Sequence, residues 1–291
     1  MDTIIEPPPV VSGRFVQEMN EDEYHAHPAL SQTGMKYLLR SARHYRAMRS
    51  ANRAKPEFEV GHAAHAMILG VGAPVVEIPA RMLSVDGGIR TTVAKEFVAN
   101  AQAEGKTPLK PQVFAAVRTM ADAVLMNVKA RPLLEAPGFT EASLFADDPH
   151  TGVSLRGRLD RLSLVDDVWT PVDVKSTTDV QLRKLINAIV DFGYDIQSFT
   201  YEELLRLVFG IEPAPMHFIF VEKTFPHEVR VVRMGDPAWQ VGGEAKMRAA
   251  IDLFAWCQER GEWPGDDDDG GPVADLQAPG WYRAQVEEVA A

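Results

Sequence analysis

The stretch PVDVKSTTDV, residues 171–180, decides how this chain is read. Apolar residues alternate with one carboxylate and one ammonium, and a polar run follows. Successive side chains of a strand point to opposite sides, so Asp173 and Lys175 share one face of a half-buried strand. A surface ion pair there would contribute little. The other explanation is a pair of groups serving one reaction. RGRLD ends at Asp160, thirteen residues before Asp173, with a turn signal at Asp166 and Asp167 between them. An antiparallel hairpin about that turn brings Asp160 near Asp173 across the sheet. Two carboxylates and a lysine suit a divalent cation and a phosphate. Hard cations take carboxylate oxygens, and Mg²⁺ uses one or two carboxylates together with substrate phosphate oxygens.

Outward from this hairpin, the pattern gives strands at 139–145, 154–164 and 168–174, then helices at 181–190 and 194–209, the second closed by Gly210. Strands at 216–222 and 228–234 and an amphipathic helix at 238–259 follow. Upstream, Ser31 is a good N-cap for a helix to about residue 47, with Met35, Leu38 and Leu39 on its apolar side. A second helix covers 57–69, where Val60, Ala64, Met67 and Ile68 recur at helical spacing. A short strand at 74–78 and helices at about 92–104 and 111–130 complete this part. Residues 1–30, with prolines at 7–9, read as a poorly ordered or loosely docked lead, and 263–291 as an irregular tail. Between them, 31–262 read as one domain: a helical part at about 31–130, then a catalytic sheet and helices at about 139–260. The class is mixed α/β or α+β.

The 291 residues carry 30 Lys and Arg against 41 Asp and Glu, a formal net charge of -11. That balance argues against a simple nucleic-acid coating protein. The charge is uneven: residues 36–55 hold seven Lys or Arg and no acid. In an acidic protein this marks Arg40, Arg43, Arg46 and Arg49 as candidates for a phosphate-contacting surface, against the plainer reading of a solvated helix face. The single Cys257 excludes an internal disulfide framework, a Cys-rich zinc site and a Cys-ligated iron–sulfur cluster. No stretch approaches the apolar length of a membrane helix, and the start of the chain has no signal-peptide pattern, so the reading is a cytosolic protein.

Further candidates surround the hairpin. His62 and His65 lie one turn apart on the second helix, Gln197 and Tyr201 one turn apart on a later one, and Glu141 opens the meander. Taken alone, each has an ordinary structural reading. Taken in order, GHAAH, EAS, GRLD, DVK and GYDIQSFTY resemble the PD-(D/E)xK nuclease superfamily. More narrowly they are similar to its exodeoxyribonuclease VIII-like, RecE-type branch of phage and prophage recombination exonucleases. The opening HPALSQTGMKYLLRSARHYRAM and the closing EWPG and PGWY extend the likeness over nearly the whole chain.

The resemblance implies a restriction-endonuclease-like core: a central mixed sheet flanked by helices, with an N-terminal helical segment. It implies metal ligation by His65, Asp160 and Asp173, with Glu141 and the backbone carbonyl of Val174 as further ligands, and Lys175 as the catalytic lysine. Gln197 and Tyr201 would support the site and contact DNA, and His62 would be structural. The implied cofactor is Mg²⁺, with Mn²⁺ as substitute and no nucleotide cofactor. The implied activity is 5′ to 3′ digestion of linear duplex from its ends, leaving single strands for recombination. The implied partners are DNA ends, further copies in a homo-oligomeric ring and a single-strand annealing protein, in the cytoplasm, or the host cytoplasm if the gene is phage-borne.

Rival chemistries lack their motifs. There is no HExxH, GxxxxGK[ST] or GxGxxG. The run Asp266–Asp269 fails as a calcium loop because Gly270 stands at the fifth position, leaving a solvated acidic turn. A catalytically silent DNA-binding or assembly protein on the same fold is disfavoured by the joint presence of Asp160, Asp173 and Lys175. A single-strand or RNA-directed nuclease stays open.

Overall fold

The computed structural model describes residues 5–50, 60–268, 271, 273 and 275–290. The first part contains β1 (Arg14–Val16), α1 (Glu21–Ala26), β2 (Leu30–Ser31), α2 (Gln32–Arg40), α3 (Ala42–Ser50) and α4 (Val60–Leu69). Next come β3 (Val75–Glu77), α5 (Thr92–Ala103), β4 (Thr107–Leu109), α6 (Pro111–Met126) and α7 (Ala130–Glu135). The second part holds β5 (Gly138–Asp147), β6 (Ser154–Val165), β7 (Val168–Thr177), α8 (Leu182–Phe192), α9 (Tyr194–Phe209), β8 (His217–Glu222), β9 (Val229–Arg233), α10 (Pro237–Arg260) and α11 (Gly280–Ala290).

One mixed sheet runs β1-β5-β6-β7-β8-β9, with β2 beside β6, and is mostly antiparallel; β2–β6 and β7–β8 are its parallel pairs. The β6–β7 hairpin turns on Asp166 and Asp167, both with positive φ (48° and 63°). Two left-handed residues give the tight turn whose twist matches that of paired strands. Helices cover both faces. On one, Leu30, Met35, Leu144, Leu159, Leu204 and Phe218 form a core beneath α2, α9 and α10. On the other, Ala64, Ile68, Met120, Val172, Val174 and Ile219 pack with α4 and α6. Leu159 and Leu162 are fully buried, so Ala at either would cost about 2–5 kcal/mol. Helix α9 lies between two left-handed glycines, Gly193 and Gly210. It is tied to α10 by Asp195–Lys246 (2.5 Å) and Glu202–Gln240 (2.7 Å).

Several expectations need correction. The lead is built into the fold: β1 pairs with β5, β2 with β6, and Met19, Tyr24 and Ala29 pack on Phe145. Strands of three and two residues carry too little alternation to be read from sequence. The helix capped by Ser31 breaks at Ser41, whose backbone is extended, and resumes as α3. Strand β4 lies between the helices expected at 92–104 and 111–130, where no strand is expected, and the tail contains α11, none of whose residues is buried. The start of the second expected helix, residues 57–59, lies outside the described residues.

A buried charge cluster fastens the β5–β6 turn to α10. Arg248 donates to both oxygens of Asp148 (2.7 and 3.1 Å), and Thr151 donates to one of them. Burial opposes ionisation of Asp148, but these donors outweigh it and hold the carboxyl at about 2. A depressed carboxylate stabilises the fold above its unfolded value near ~3.9, and that contribution fades as pH falls toward 2. Thermal melts from pH 5 to 2 should therefore show a steeper loss of midpoint for the wild type than for Arg248→Met. Equal slopes would refute the role of this pair.

Candidate active site

The β6–β7 ladder runs from Val165↔Val168 to Arg161↔Val172 and stops there. Beyond that point β7 continues beside β8, pairing Asp173 with Phe218 and Lys175 with Phe220. The strands fork, and Asp160 fills the fork: its Oδ2 accepts the Val174 N–H at 2.8 Å. The alternation of side chains shifts phase at the same level. On β6, Leu159 and Leu162 both enter the α9-side core, as do Phe139 and Ala142 on β5. On β5 the shift falls at Glu141, a non-glycine residue in the left-handed region (φ 52°). Such backbone costs of order 1 kcal/mol or more and concentrates at functional sites.

Helix α4 packs against β7 and delivers His65 from the opposite side of the fork. Its Nε2 lies 2.9 Å from Asp160 Oδ2. Ligand atoms of His65, Glu141 and Asp160 all fall within 4.8 Å of one another. Burial alone would lower the His65 imidazole, but Asp160, with Glu141 and Asp173 behind it, raises it to about 9. Burial works against the Asp160 carboxylate too, yet His65, Lys175 and the Val174 N–H keep it below the usual range. Burial and then Asp160 push Glu141 up.

Asp173 is buried, 2% exposed, and Lys175 Nζ stands 2.6 Å from its Oδ2. Burial first, then the neighbouring Asp160 charge, lifts Asp173 to about 6. Lys175 is raised despite its burial, held charged by Asp173 and Asp160. Asp173 and Lys175 thus share a face of β7 and touch. The other oxygen, Oδ1, accepts from Gln197 Nε2 at 2.5 Å. Oδ2 is enclosed yet receives no aligned hydrogen bond. The 2.6 Å contact with Lys175 is therefore an ion pair not aligned as a hydrogen bond.

Gln197 and Tyr201 are both buried, 2% and 5% exposed. Gln197 reaches Asp173, and the Tyr201 ring lies against Gly157 of β6. Tyr201 has the Arg158 backbone as a hydrogen-bond partner, and burial raises it well above the usual tyrosine range. Gly157 explains why GRLD carries a glycine. A Cβ there would meet Leu204 Cδ1 at 2.7 Å and the Tyr201 ring at 2.9 Å. Without that side chain α9 can lie on β6 closely enough for Gln197 to reach Asp173.

Other expected residues fall differently. Val174 enters the site through its N–H, which donates to Asp160 Oδ2. His62 is exposed, so it is not the packed structural residue expected. Within the basic stretch, Arg43 pairs with Asp268, and Arg49 donates to the Ala26 and His27 carbonyls. Arg40 and Arg46 are exposed; Arg53 and Lys55 lie outside the described residues. Asp268 also accepts the Gly265 N–H, so part of the acidic run braces the tail on α3, while Asp269 and Gly270 lie outside the described residues.

Three residues were missed. The Tyr194 ring sits 5.3 Å from Lys175 Nζ, and its signal was helical spacing, one turn before Gln197. Arg158, two residues before Asp160, faces Glu141 at 3.5 Å and donates to Ser143 and the Met19 carbonyl. Strand alternation could have flagged it. Lys36 donates to the Phe192 carbonyl (2.9 Å), and burial, then Lys175, lowers it to about 8. Nothing in the sequence separated it from the basic stretch.

The donor set suits a divalent cation. It offers carboxylate oxygens and one imidazole, which hard and borderline ions accept, and the buried Asp173 Oδ2 has no aligned donor. No other group of three or more potential ligands occurs among the described residues.

A family model described as "PDDEXK-like domain of unknown function (DUF3799)" matches residues 31–269. Among solved structures, one from Eubacterium rectale described as a "Putative exonuclease" superposes with a TM-score of 0.56 at 12% identity, covering 95% of this chain and 99% of that one. An alkaline exonuclease from Laribacter hongkongensis aligns at 15% identity over 69% of this chain and 96% of its own, with a TM-score of 0.28. No curated protein matches the sequence significantly. Among the described residues, no helix is long and apolar enough to cross a membrane.

Proposed function

For a chain that belongs to the PDDEXK-like DUF3799 family, we propose that the forked strands carry the hydrolytic centre of a divalent-metal-dependent DNA exonuclease. The observation that carries this reading is the Asp173–Lys175 contact beside His65, Asp160 and Glu141. His65, Asp160 and Asp173 would hold Mg²⁺ or Mn²⁺, with Glu141 and the Val174 carbonyl as further ligands. When bound, the metal supplies Lewis-acid polarisation of a phosphate and a more acidic water. Lys175, kept protonated by Asp173 and Asp160, orients the attacking water and offsets charge developing on the phosphate. Gln197 fixes the Asp173 carboxylate through Oδ1 and leaves Oδ2 directed at the reacting centre. Tyr194 confines the ammonium from its ring side.

The finer reading is processive 5′ to 3′ digestion of linear duplex by a homo-oligomeric ring, yielding single strands for a recombination partner. Its physical support is charge. A chain at -11 has little general attraction for a polyanion, and copies around an axis would gather the exposed Arg40 and Arg46 at a shared mouth. End-labelled linear duplex should be degraded with Mg²⁺ and not without it, covalently closed circles should resist, and light scattering should give a multiple of 32.2 kDa. Rapid cutting of closed circles, or a monomer at micromolar concentration, would refute the ring exonuclease.

A further inference from the structure

Helix α8 buries one apolar face and leaves another bare. Leu185 and Ile189 enter the core, whereas Leu182, Ile186 and Val190 are 55%, 51% and 52% exposed. Residues four apart on a helix are surface neighbours, so these three form one stripe. An apolar stripe open to water marks a place where another element docks. A second bare stripe stands near the end of the chain. On α11, Tyr282, Val286 and Val289 recur at helical spacing, all exposed, and no residue of that helix is buried. Neither stripe serves the chemistry above.

Both helices also carry charge at the end that disfavours it. Arg183 and Lys184, both exposed, stand in the first turn of α8, which contains no acid. Glu287 and Glu288, both exposed, stand in the last turn of α11, which contains no base. A helix N-terminus disfavours cations and a C-terminus disfavours anions. Laid antiparallel, each helix would relieve the other.

The geometry points to α11 of one copy docking antiparallel along the bare stripe of α8 on a second copy. Tyr282, Val286 and Val289 would cover Val190, Ile186 and Leu182 in turn. Glu287 and Glu288 would meet Arg183 and Lys184, and Arg283 would approach Asp191. Each helix has 11 residues, so the stripes match end to end. The tail supplies the reach. Trp263 stacks on Tyr45 and Asp268 pairs with Arg43, which holds the chain on α3 as far as residue 268. Residues 269–279 then lead to α11 and can span at most about 40 Å. Copies at -11 each repel one another, so joining them takes apolar area with locally opposed charge, and this pairing offers both. It uses two different patches, the kind of contact that closes into a ring. This inference rests on the homo-oligomer reading above and adds to it the surfaces that join the copies.

The test is light scattering of the full chain across a dilution series. Glu287→Lys with Glu288→Lys should raise the concentration for half-association roughly 10- to 100-fold, because like charges would then face each other. Arg183→Glu with Lys184→Glu should do the same. Mixing these two variants sets opposite charges together again between unlike copies, so the mixture should regain most of the association. All four side chains are exposed, so neither variant threatens the fold. If the wild type assembles and both variants match its concentration dependence, the docking between copies is refuted and the ring stands on other contacts. That result includes the case in which α11 folds back on its own α8. A mixture that associates no better than either variant alone refutes the pairing as well. A wild type that stays monomeric overturns both the docking and the ring.

Discussion

Lys175→Ala is expected to lower the rate of DNA hydrolysis by roughly 10²–10⁴-fold, the usual range for removing one proton-transfer or charge-stabilising group from a reacting centre. The substitution leaves Asp173 buried beside Asp160 without its cation. Asp173, already at about 6, would answer by binding a proton, so the variant should fold, with a lower midpoint by thermal melt. Asp173→Asn should give a comparable loss of rate. It differs in one diagnostic respect: calorimetric titration with Mn²⁺ should show lost or strongly weakened metal binding for Asp173→Asn, and retained binding for Lys175→Ala. Gln197→Ala should fall between these variants and the wild type, since it frees a carboxylate to rotate without removing it. Near-wild-type cleavage by the Lys175 or Asp173 variant would overturn the site.

The second large effect is expected at His65. His65→Ala should abolish or nearly abolish metal-stimulated cleavage, as chelation by EDTA does to the wild type, whereas His62→Ala should retain most of it. The two residues sit one turn apart on α4, but only His65 touches Asp160; His62 points to solvent. A pH signature accompanies the difference. His65 is raised to about 9 in the folded, metal-free chain. A raised imidazole stabilises the fold fully below its unfolded value near ~6.5, and that contribution disappears as pH rises through 9. Metal-free thermal midpoints should therefore fall between pH 6.5 and 9 in the wild type, and this component should vanish in His65→Ala. Equal losses of activity at His62 and His65 would show that the wrong histidine has been assigned.

Which parts of this arrangement were legible follows from how local their causes are. The meander reads from sequence because period-two alternation and the Asp166–Asp167 turn act within a few residues, and α9 reads to the residue because a glycine stands at each end. The alternation also puts Asp173 and Lys175 on one face. It does not foretell the fork. Simple hairpin register would set Asp160 opposite Asp173 as a ladder pair, but the ladder ends one step earlier, and Asp160 instead takes a backbone N–H from the departing strand. The left-handed turn of the backbone at Glu141 is equally invisible, because glutamate has no preference for it. The approach of His65 depends on how α4 docks over β7, a packing event set by Val172, Val174 and Ile219 far along the chain. Motif order supplied that residue; periodicity could not.

The short strand β1 has a practical consequence. A shortened chain beginning at residue 31, the natural choice if the lead were loose, would strip β1 from β5 and remove Tyr24 and Met19 from Phe145. The outer backbone groups of β5 along Ser143–Phe145 would then be open, next to newly bared apolar surface. A bare strand margin of that kind recruits strands from other molecules. The truncated protein should form soluble aggregates, seen as a mass that grows with concentration in light scattering, while the full chain gives one defined mass. A well-behaved truncated species would mean that the lead is dispensable as a cover. In the full chain β1, Met19 and Tyr24 cover that margin, so their removal for crystallisation or assay would be a poor choice.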